Sequence, residues 1–262
     1  MDKIEEYYNK FNEEKRLTRR RGIVEYRTSF VYIHECLLKL RESGRAASDI
    51  RILDIGAGCG AYTIPLHEEG FDVTAVEYVK HNVGILKKKC PEVKAYQGDA
   101  RNMKKYESGY YDLILLFGPM YHLFGEDKDR ALLEATRLLA PGGFLLIAYC
   151  MNEYSIITYG FKERHILEAK ADGHIDDTYH VRNAMEDLYD YVRIEDIDRL
   201  KGVSGLSRYK IINADGPANY MRHELNALSD EEFEEFMNYH LSVCERYELL
   251  GAAGHVVDVL KK

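Results

Sequence analysis

The sequence has no tryptophan, only five prolines, and no apolar run long enough to span a bilayer. A transmembrane helix needs roughly 20 consecutive apolar residues, so no membrane-spanning helix and no membrane partner are predicted. The N-terminal stretch MDKIEEYYNK is charged and has no apolar segment, which argues against a secretory signal peptide. We therefore expect a cytoplasmic protein.

Cysteine is scarce and irregularly spaced. The chain has five cysteines and no CxxC pair. An odd number at scattered spacings predicts reduced thiols, with neither a disulfide framework nor a structural zinc site. Polar aromatic and imidazole side chains between residues 154 and 189 match no zinc or iron ligand spacing, so they are pocket lining or surface and no metal is expected. They are His165, His174, His180, Tyr154, Tyr159, Tyr179 and Tyr189.

Positive charge is in deficit. The formal net charge is −8, from 36 Lys and Arg against 44 Asp and Glu. A general nucleic-acid binder needs surplus cations to meet phosphates, so a nucleic-acid partner is not expected. The one basic run, EKRLTRRRG at residues 14–22, is typical of a solvated helix face. The 21 tyrosines are compatible with a pocket for a planar or polar small molecule.

The order of the apolar segments predicts an α/β fold. A helix is predicted over 25–42, where Phe30, Ile33, Leu37 and Leu40 recur at helical spacing. Continuous apolar runs with helical stretches between them predict the strands of a doubly wound, mostly parallel sheet. These runs are 50–55, 71–76, 93–96, 111–117 and 143–150.

After Cys150 the alternation stops. Residues 151–206 are polar and mostly helical by pattern, whereas SRYKIIN at 207–213 predicts another strand. Ser229 and Glu232 form a capping-box pattern at the start of a later helix. The predicted domains are an N-terminal helical lid at 1–44, a core at 45–150 and 207–262, and a helical cap at 151–206.

A glycine-rich loop follows the first predicted strand. In IRILDIGAGCG, Gly56, Gly58 and Gly60 occupy alternate positions, which predicts a tight turn that a ligand approaches closely. GAGCGA also satisfies the degenerate G-x-G-x-x-[GA] dinucleotide pattern, so a nicotinamide-dependent oxidoreductase stays an alternative. The loop lacks the Lys and Ser/Thr of a P-loop, which disfavours a nucleoside triphosphate.

Three acids follow three successive strands. Asp54, Glu77 and Asp99 are 23 and 22 residues apart, one strand–helix unit each, so parallel strands bring them to one edge of the sheet. Glu77 is suited to both hydroxyls of a ribose, and Asp99 to an adenine amino group. Asp54 is expected to accept N–H groups of the glycine loop. The pattern predicts a ligand with ribose, adenine and a cationic tail.

These features resemble the class I S-adenosylmethionine-dependent methyltransferases. The resemblance covers about residues 45–151, including LDIGAGCGAYTIPL, YYDLILLFGPMYHL and LLAPGGFLLIAYC. It implies a seven-stranded Rossmann-like sheet whose last strand, near 252–259, is antiparallel. It also implies S-adenosylmethionine as cofactor and S-adenosylhomocysteine as product.

The resemblance assigns the cofactor contacts by position. The glycine loop meets the methionine part, Glu77 holds the ribose and Asp99 the adenine. Tyr78 flanks the adenine ring, Ala100 lies beside Asp99, and the end of the fourth strand lies near the methionine. The implied cofactor-binding residues are Asp54, Gly56, Ala57, Gly58, Gly60, Glu77, Tyr78, Asp99, Ala100, Phe117 and Gly118.

The segment after the fourth strand bears on the acceptor. FGPMYHLFG lacks the [DN]-P-P-[YF] pattern of enzymes that methylate adenine or glutamine and the Pro-Cys of cytosine-C5 enzymes. Its GPxYHL form resembles bacterial methyltransferases of small molecules. We expect methyl transfer to a small-molecule acceptor by in-line displacement, with Tyr121 and His122 on the acceptor side and either as the base.

Two further functions stay open besides the oxidoreductase. One is an RNA or protein methyltransferase, which the acidic balance and the missing [DN]-P-P-[YF] pattern disfavour but the basic run keeps open. The other is a non-catalytic protein that binds S-adenosylmethionine, because many methyl transfers need no base. Several N-terminal residues are either cofactor or substrate contacts or part of a surface helix: Tyr7, Tyr8, Arg16, Glu25 and Tyr26. The sequence does not determine the oligomeric state.

Overall fold

The computed structural model describes residues 3–10, 19–182 and 187–262, which contain one eight-stranded sheet. Its strands are β1 Arg51–Ile55, β2 Asp72–Glu77, β3 Lys94–Gln97, β4 Tyr111–Leu116, β5 Leu139–Met151, β6 Tyr191–Val192, β7 Ser207–Asn213 and β8 His255–Lys261. The strands predicted from continuous apolar runs are all present, within a few residues of the expected bounds. β5 begins four residues before the predicted run at 143–150, because Pro141, Gly142 and Gly143 lie inside the strand.

The strand order is β3-β2-β1-β4-β5-β8-β7, and the short β6 pairs with the end of β5. The strands from β3 to β5 run parallel, while β8 runs antiparallel to both β5 and β7. The predicted fold class, a mostly parallel doubly wound sheet with an antiparallel last strand, is confirmed. β6 is an addition to the seven expected strands.

Helices flank both faces of the sheet. They are α1 Lys3–Lys10, α2 Arg20–Arg41, α3 Thr63–Glu68, α4 Lys80–Lys89, α5 Glu126–Leu138, α6 Asn152–Ser155, α7 Ile166–Ala171, α8 Ile194–Ser204, α9 Arg222–Ala227 and α10 Asp230–Val243, with a π-helix at Ile156–Lys162. The predicted capping box begins α10, where Ser229 and Glu232 exchange side-chain-to-backbone hydrogen bonds. None of the described helices is long and apolar enough to cross a membrane.

The core consists of two apolar layers, one on each face of the sheet. Successive strand residues alternate between them: Ile52 packs with Ile33 of α2, and Leu53 packs with Leu132 of α5. Strands buried on both faces need apolar residues at consecutive positions, which is why the sequence shows continuous apolar runs.

The structure differs from the predicted domain bounds in two places. α2 lies inside the expected lid at 1–44, yet its Ile33 and Leu37 are buried in the core. Residues 191–206 lie inside the expected cap, yet β6 joins the sheet and α8 buries Ile197 in the core. An amphipathic helix shows the same periodicity whether it covers a cap or a sheet, so the pattern could not separate the two cases.

The basic run at 14–22 is only partly described, because residues 11–18, including Arg16, lie outside the described residues, as does the side chain of Tyr8. Arg20 donates hydrogen bonds to the carbonyls of Leu225 and Leu228 and pairs with Asp230 at 2.8 Å. These contacts hold α2 against α9 and α10. The Arg20 side chain therefore packs against other parts of the chain, whereas the sequence predicted that the basic run forms a solvated helix face.

A buried ion pair between β7 and β8 generates a stability prediction. The carboxylate of Asp258 is fully buried and accepts from the Arg208 guanidinium at 2.7 and 2.8 Å. Arg208→Met leaves a buried carboxylate without its cation, so we expect the free energy of unfolding to fall by about 3–5 kcal/mol in urea titration. Arg246→Met, at an exposed pair, serves as control and has little effect. Equal effects of both substitutions would contradict the prediction.

Candidate functional site

A cavity of about 650 Å³ lies along the carboxyl edge of the parallel strands. Its wall includes Asp99 after β3, Glu77 at the end of β2, the loop after β1, and Phe117 after β4. Because β8 is antiparallel, its first residue, His255, lies at this same edge and also lines the cavity. The volume is in the range of small-molecule sites in proteins.

Glu77 is held rigidly at the centre of this edge. One carboxylate oxygen accepts from the Gly58 amide at 2.9 Å, and the other accepts from the Val79 amide at 2.8 Å. The side chain is buried yet lines the cavity. These bonds join the glycine loop to the acid that follows the next strand, so the two predicted ligand-binding features form one unit.

The glycines of the loop have different roles. Gly56 and Gly60 have φ angles of +85° and +91°, and an added Cβ would lie 2.5 Å from Pro119 Cδ and 2.3 Å from Leu86 Cδ1. At Gly58, with φ of +54°, a Cβ would meet no protein atom within 4 Å. All three glycines line the cavity, and Gly56 and Gly60 are in addition required by packing within the protein. Gly58 alone of the three faces open space.

Asp54 does not have the expected role. It is fully buried and accepts from the Thr63 hydroxyl at 2.6 Å, at the start of α3. Within the described residues it is not part of the cavity wall, and the Gly56 and Ala57 amides donate to the Val76 carbonyl instead. Burial raises the pKa of Asp54 to about 7, and the nearby charge of Glu77 adds to this. Asp54 therefore supports the loop from behind.

Asp99 lies at one end of the cavity, paired with a cation that the sequence analysis missed. Arg101 bridges Asp99 and Asp127 at 2.6 Å each. Partial burial alone would raise the pKa of Asp99, but hydrogen bonds from Arg101 hold it below its ordinary value. Tyr78 and Ala100 also line the cavity at this end, and their predicted contact with adenine stays a prediction. The signal for Arg101 was its position two residues after Asp99.

Aromatic rings form the wall beside the loop. Tyr62 lies 5.1 Å from Phe117 and 5.4 Å from Tyr26 between ring centroids. At Gly118 an added Cβ would make only an ordinary contact, 3.7 Å from the Tyr121 hydroxyl oxygen, so glycine is favoured there by its φ of +126° and not by space. Tyr26, which the sequence left undecided between contact and surface, lines the cavity together with Tyr62.

Tyr121 and His122 both line the cavity, where the segment 187–190 packs on them. His122 Nδ1 lies 2.7 Å from the Leu188 carbonyl oxygen, which requires Nδ1 to carry the proton and makes Nε2 the basic nitrogen of the neutral ring. The Asp190 amide donates to the Tyr121 carbonyl at 2.8 Å, and the Tyr189 hydroxyl donates to Tyr7 of α1 at 3.1 Å. The segment thus closes one side of the cavity.

Other polar side chains of the expected cap lie elsewhere. In the described part of the chain, the residues His165, His174, His180, Tyr154, Tyr159 and Tyr179 are not part of the cavity wall. His165 stacks on Tyr159 at 4.4 Å between ring centroids. Tyr189 contacts Tyr121 and His122 by ring packing, which places it behind these residues.

The other end of the cavity holds a cluster that the sequence did not reveal. His255 Nδ1 lies 2.8 Å from the carboxylate of Asp215 and 3.7 Å from that of Glu25. Glu25 and His255 line the cavity, and Asp215 is fully buried behind them. These residues come from α2, the loop after β7 and the start of β8, so no local spacing could have indicated them.

Residues 53–147 match the family described as Methyltransferase domain. An uncharacterized methyltransferase of Mycobacterium bovis is 34% identical over 95 residues, 36% of this chain and 37% of that protein. A demethylmenaquinone methyltransferase of Renibacterium salmoninarum is 30% identical over 110 residues, 42% of this chain and 44% of that protein. The matched segment spans less than half of either relative.

The fold comparison extends over more of the chain. The structure of an S-adenosylmethionine-dependent methyltransferase of Thermotoga maritima superposes with a TM-score of 0.55 at 19% identity, covering 99% of this chain and 98% of that one. The family match at 53–147 includes the glycine loop, Glu77 and Asp99 but neither Glu25 nor His255. The predicted GPxYHL subgroup stays a prediction.

The glycine geometry predicts different effects of two matched substitutions. Gly60→Ala places a methyl group against Leu86 at a left-handed φ, so we expect unfolding free energy to fall by about 2–3 kcal/mol in urea titration. Gly58→Ala lacks the steric clash, and the expected loss is about 1 kcal/mol. An equal or larger loss for Gly58→Ala would contradict the division of roles.

The buried carboxyl of Asp54 predicts a pH dependence of stability. The folded-state pKa of about 7 lies above the unfolded value near 3.9, so the folded chain binds the extra proton. Protonation of Asp54 therefore adds to the free energy of unfolding, by an amount of the order of 4 kcal/mol. This stabilisation is fully present below about pH 4 and is lost as the pH rises through 7. Urea titrations from pH 4 to 8 should show this decline for the wild type relative to Asp54→Asn. Parallel pH profiles would contradict it.

Proposed function

We propose that the chain is a class I S-adenosylmethionine-dependent methyltransferase that transfers a methyl group to a small-molecule acceptor, since residues 53–147 match the family described as Methyltransferase domain. The observation that carries the proposal is the unit of Gly58 and Glu77 at the centre of a cavity with Asp99 at one end. When bound, S-adenosylmethionine supplies an activated methyl group on a sulfonium sulfur.

The residues present fit this cofactor. Glu77 lines the cavity with both oxygens held in place by amides, which orients them for the two ribose hydroxyls. Asp99, with Tyr78 and Ala100 beside it, offers an acceptor for the adenine amino group. The open space at Gly58 leaves room for the methionine part next to the loop, between Glu77 and Phe117.

The expected rate enhancement comes mainly from alignment of the reactants and exclusion of water. Tyr121 and His122 are proposed as acceptor-side contacts, because both line the cavity beyond the glycine loop. The partner of His122 Nδ1 is a neutral carbonyl, which fixes the ring but adds no charge to stabilise a bound proton. A base role for His122 stays a prediction that its pH–rate profile tests.

A small molecule is favoured over a macromolecular acceptor. Ile4 of α1 and Asp187 border the cavity, so the N-terminal helix and the closing segment both restrict access to it. Arg20 and Arg27 of α2 form ion pairs with Asp230 and Glu234. Their positive charges are therefore compensated within the chain and are not presented to phosphates. The relative from Renibacterium salmoninarum is named as acting on demethylmenaquinone, itself a small molecule.

Calorimetric titration tests the cofactor assignment. We expect S-adenosylmethionine and S-adenosylhomocysteine to bind the wild type, and Glu77→Ala to weaken binding about 100-fold, because two hydrogen bonds to a charged group are lost. Glu231→Ala, which removes an exposed acid of α10, is the matched control and should bind like the wild type. Urea titration of both variants separates lost binding from lost folding, since Glu77 also holds loop amides.

Two outcomes would contradict the assignment. Absence of binding of either compound to the folded wild type would remove it. Binding of NADH in place of S-adenosylmethionine would favour the oxidoreductase that the degenerate glycine pattern allows. Binding without methylation of any compound in a panel of amines, phenols and thiols would favour a non-catalytic binding protein.

A further inference from the structure

We infer that His255, positioned by Asp215, takes the proton from a methyl acceptor that attacks through a hydroxyl, thiol or amine group. The inference rests on the proposed methyl-transfer function and adds its proton acceptor. Neither the family match at 53–147 nor the sequence pattern includes these residues.

The position of His255 along the sheet places it on the acceptor side. The strand order β3-β2-β1-β4-β5-β8 puts Asp99 at one end of the cavity, Glu77 nearer the centre and His255 at the other end. Two strand spacings separate β4 from β8, which is roughly 10 Å. His255 therefore lies beyond Phe117 and the proposed methionine site, on the side of the cavity left for the acceptor.

Asp215 fixes the imidazole. Its carboxylate is fully buried and accepts four hydrogen bonds, from the backbone amides of Gly254 and His255, from Asn219 Nδ2 and from His255 Nδ1. A carboxylate has about four lone-pair sites, so Asp215 is saturated. Its contact with His255 Nδ1 makes Nε2 the nitrogen proposed to accept a proton, and the imidazole also forms a side-chain hydrogen bond with Cys150.

The same saturation argues against a metal. The ligand atoms of Glu25, Asp215 and His255 lie within 4.8 Å of one another, which is close enough for a cation site. However, a metal bound by Asp215 would have to displace amide donors that are part of the β7–β8 connection. The hydrogen-bonding pattern instead suits a carboxylate that orients an imidazole for proton transfer.

The charges around His255 stabilise its protonated form. Glu25 of α2 lies 3.7 Å from Nδ1, Cys150 lies opposite on β5, and the Tyr121 ring lies 6.4 Å away. Burial alone would lower the pKa of His255, but Glu25, Cys150 and Asp215 together raise it well above its ordinary value. On the same helix, Arg21 donates to the Asn219 side-chain oxygen at 3.5 Å.

Each proton and electron pair of the proposed methyl transfer is accounted for. Neutral His255 accepts the proton of the acceptor's O–H, S–H or N–H group, while the electron pair of that atom forms the bond to the methyl carbon. The bond from the methyl carbon to the sulfonium sulfur breaks, and its electron pair stays on sulfur. His255 then releases the proton to solvent. Because the neutral ring is the active form, the rate should rise with pH up to the raised pKa of His255.

The experiment compares pH–rate profiles of the full chain. Wild type, His255→Gln, His122→Gln and Glu25→Gln are first titrated with S-adenosylhomocysteine to establish the cofactor site. Each is then assayed with S-adenosylmethionine and a panel of phenols, thiols and amines, from pH 6 to 10, by the S-adenosylhomocysteine released. His34→Gln is the matched control, because it removes an exposed histidine of α2 outside the cavity wall.

We expect His255→Gln to bind S-adenosylhomocysteine like the wild type but to lower kcat about 100-fold or more and to abolish the rise of kcat with pH. Glu25→Gln should move this rise to lower pH, because the lost negative charge no longer stabilises the imidazolium. His34→Gln should match the wild type.

Several outcomes would overturn the inference. One is a folded His255→Gln variant whose kcat depends on pH as in the wild type. Another is that the rise of kcat with pH is lost in His122→Gln and kept in His255→Gln. If His255→Gln fails to fold, an unshifted profile for Glu25→Gln overturns it. No binding of S-adenosylhomocysteine to the wild type, or no methylation of any panel compound, overturns the proposed function, and this inference falls with it.

Discussion

Every functional feature of this protein depends on the convergence of strand ends at one edge of the sheet. Parallel pairing of β3, β2, β1 and β4 brings Asp99, Glu77, the glycine loop and Phe117 into a row, in the order of the strands. The reversal of β8 then brings the start of a late strand, His255, to the same edge. A single cavity along this edge can therefore hold an extended ligand and a second reactant beside it.

The hydrogen bond from Gly58 to Glu77 shows how the proposed cofactor half is made rigid. The carboxylate holds the loop amide, while Gly56 and Gly60 pack so tightly that neither admits a Cβ atom. Asp54, behind the loop, secures Thr63 at the start of α3. A site held in this way is preorganised, so little conformational entropy is lost when a ligand binds.

The proposed acceptor half is assembled differently. Glu25, Asp215 and His255 come from the N-terminal helix, the loop after β7 and the start of β8, all outside the matched family segment. Closing contacts come from α1 and from residues 187–190. A fold does not determine the functional site that is built on it. Here the proposed acceptor half is built from segments outside the matched family segment.

The sequence by itself determined the sheet, the glycine loop and the positions of Glu77 and Asp99, because strand burial and the strand–helix repeat are local periodic signals. The predicted role of Asp54 differs from the observed one, because the sequence pattern of an acid at a strand end is the same whether the side chain faces the cavity or the interior. Arg101 and the cluster around His255 were missed, as was the packing of Gly56 and Gly60 within the protein. These depended on which distant segments meet: the antiparallel pairing of β8 with β5, and the packing of α2 across the edge, which only the tertiary structure decided.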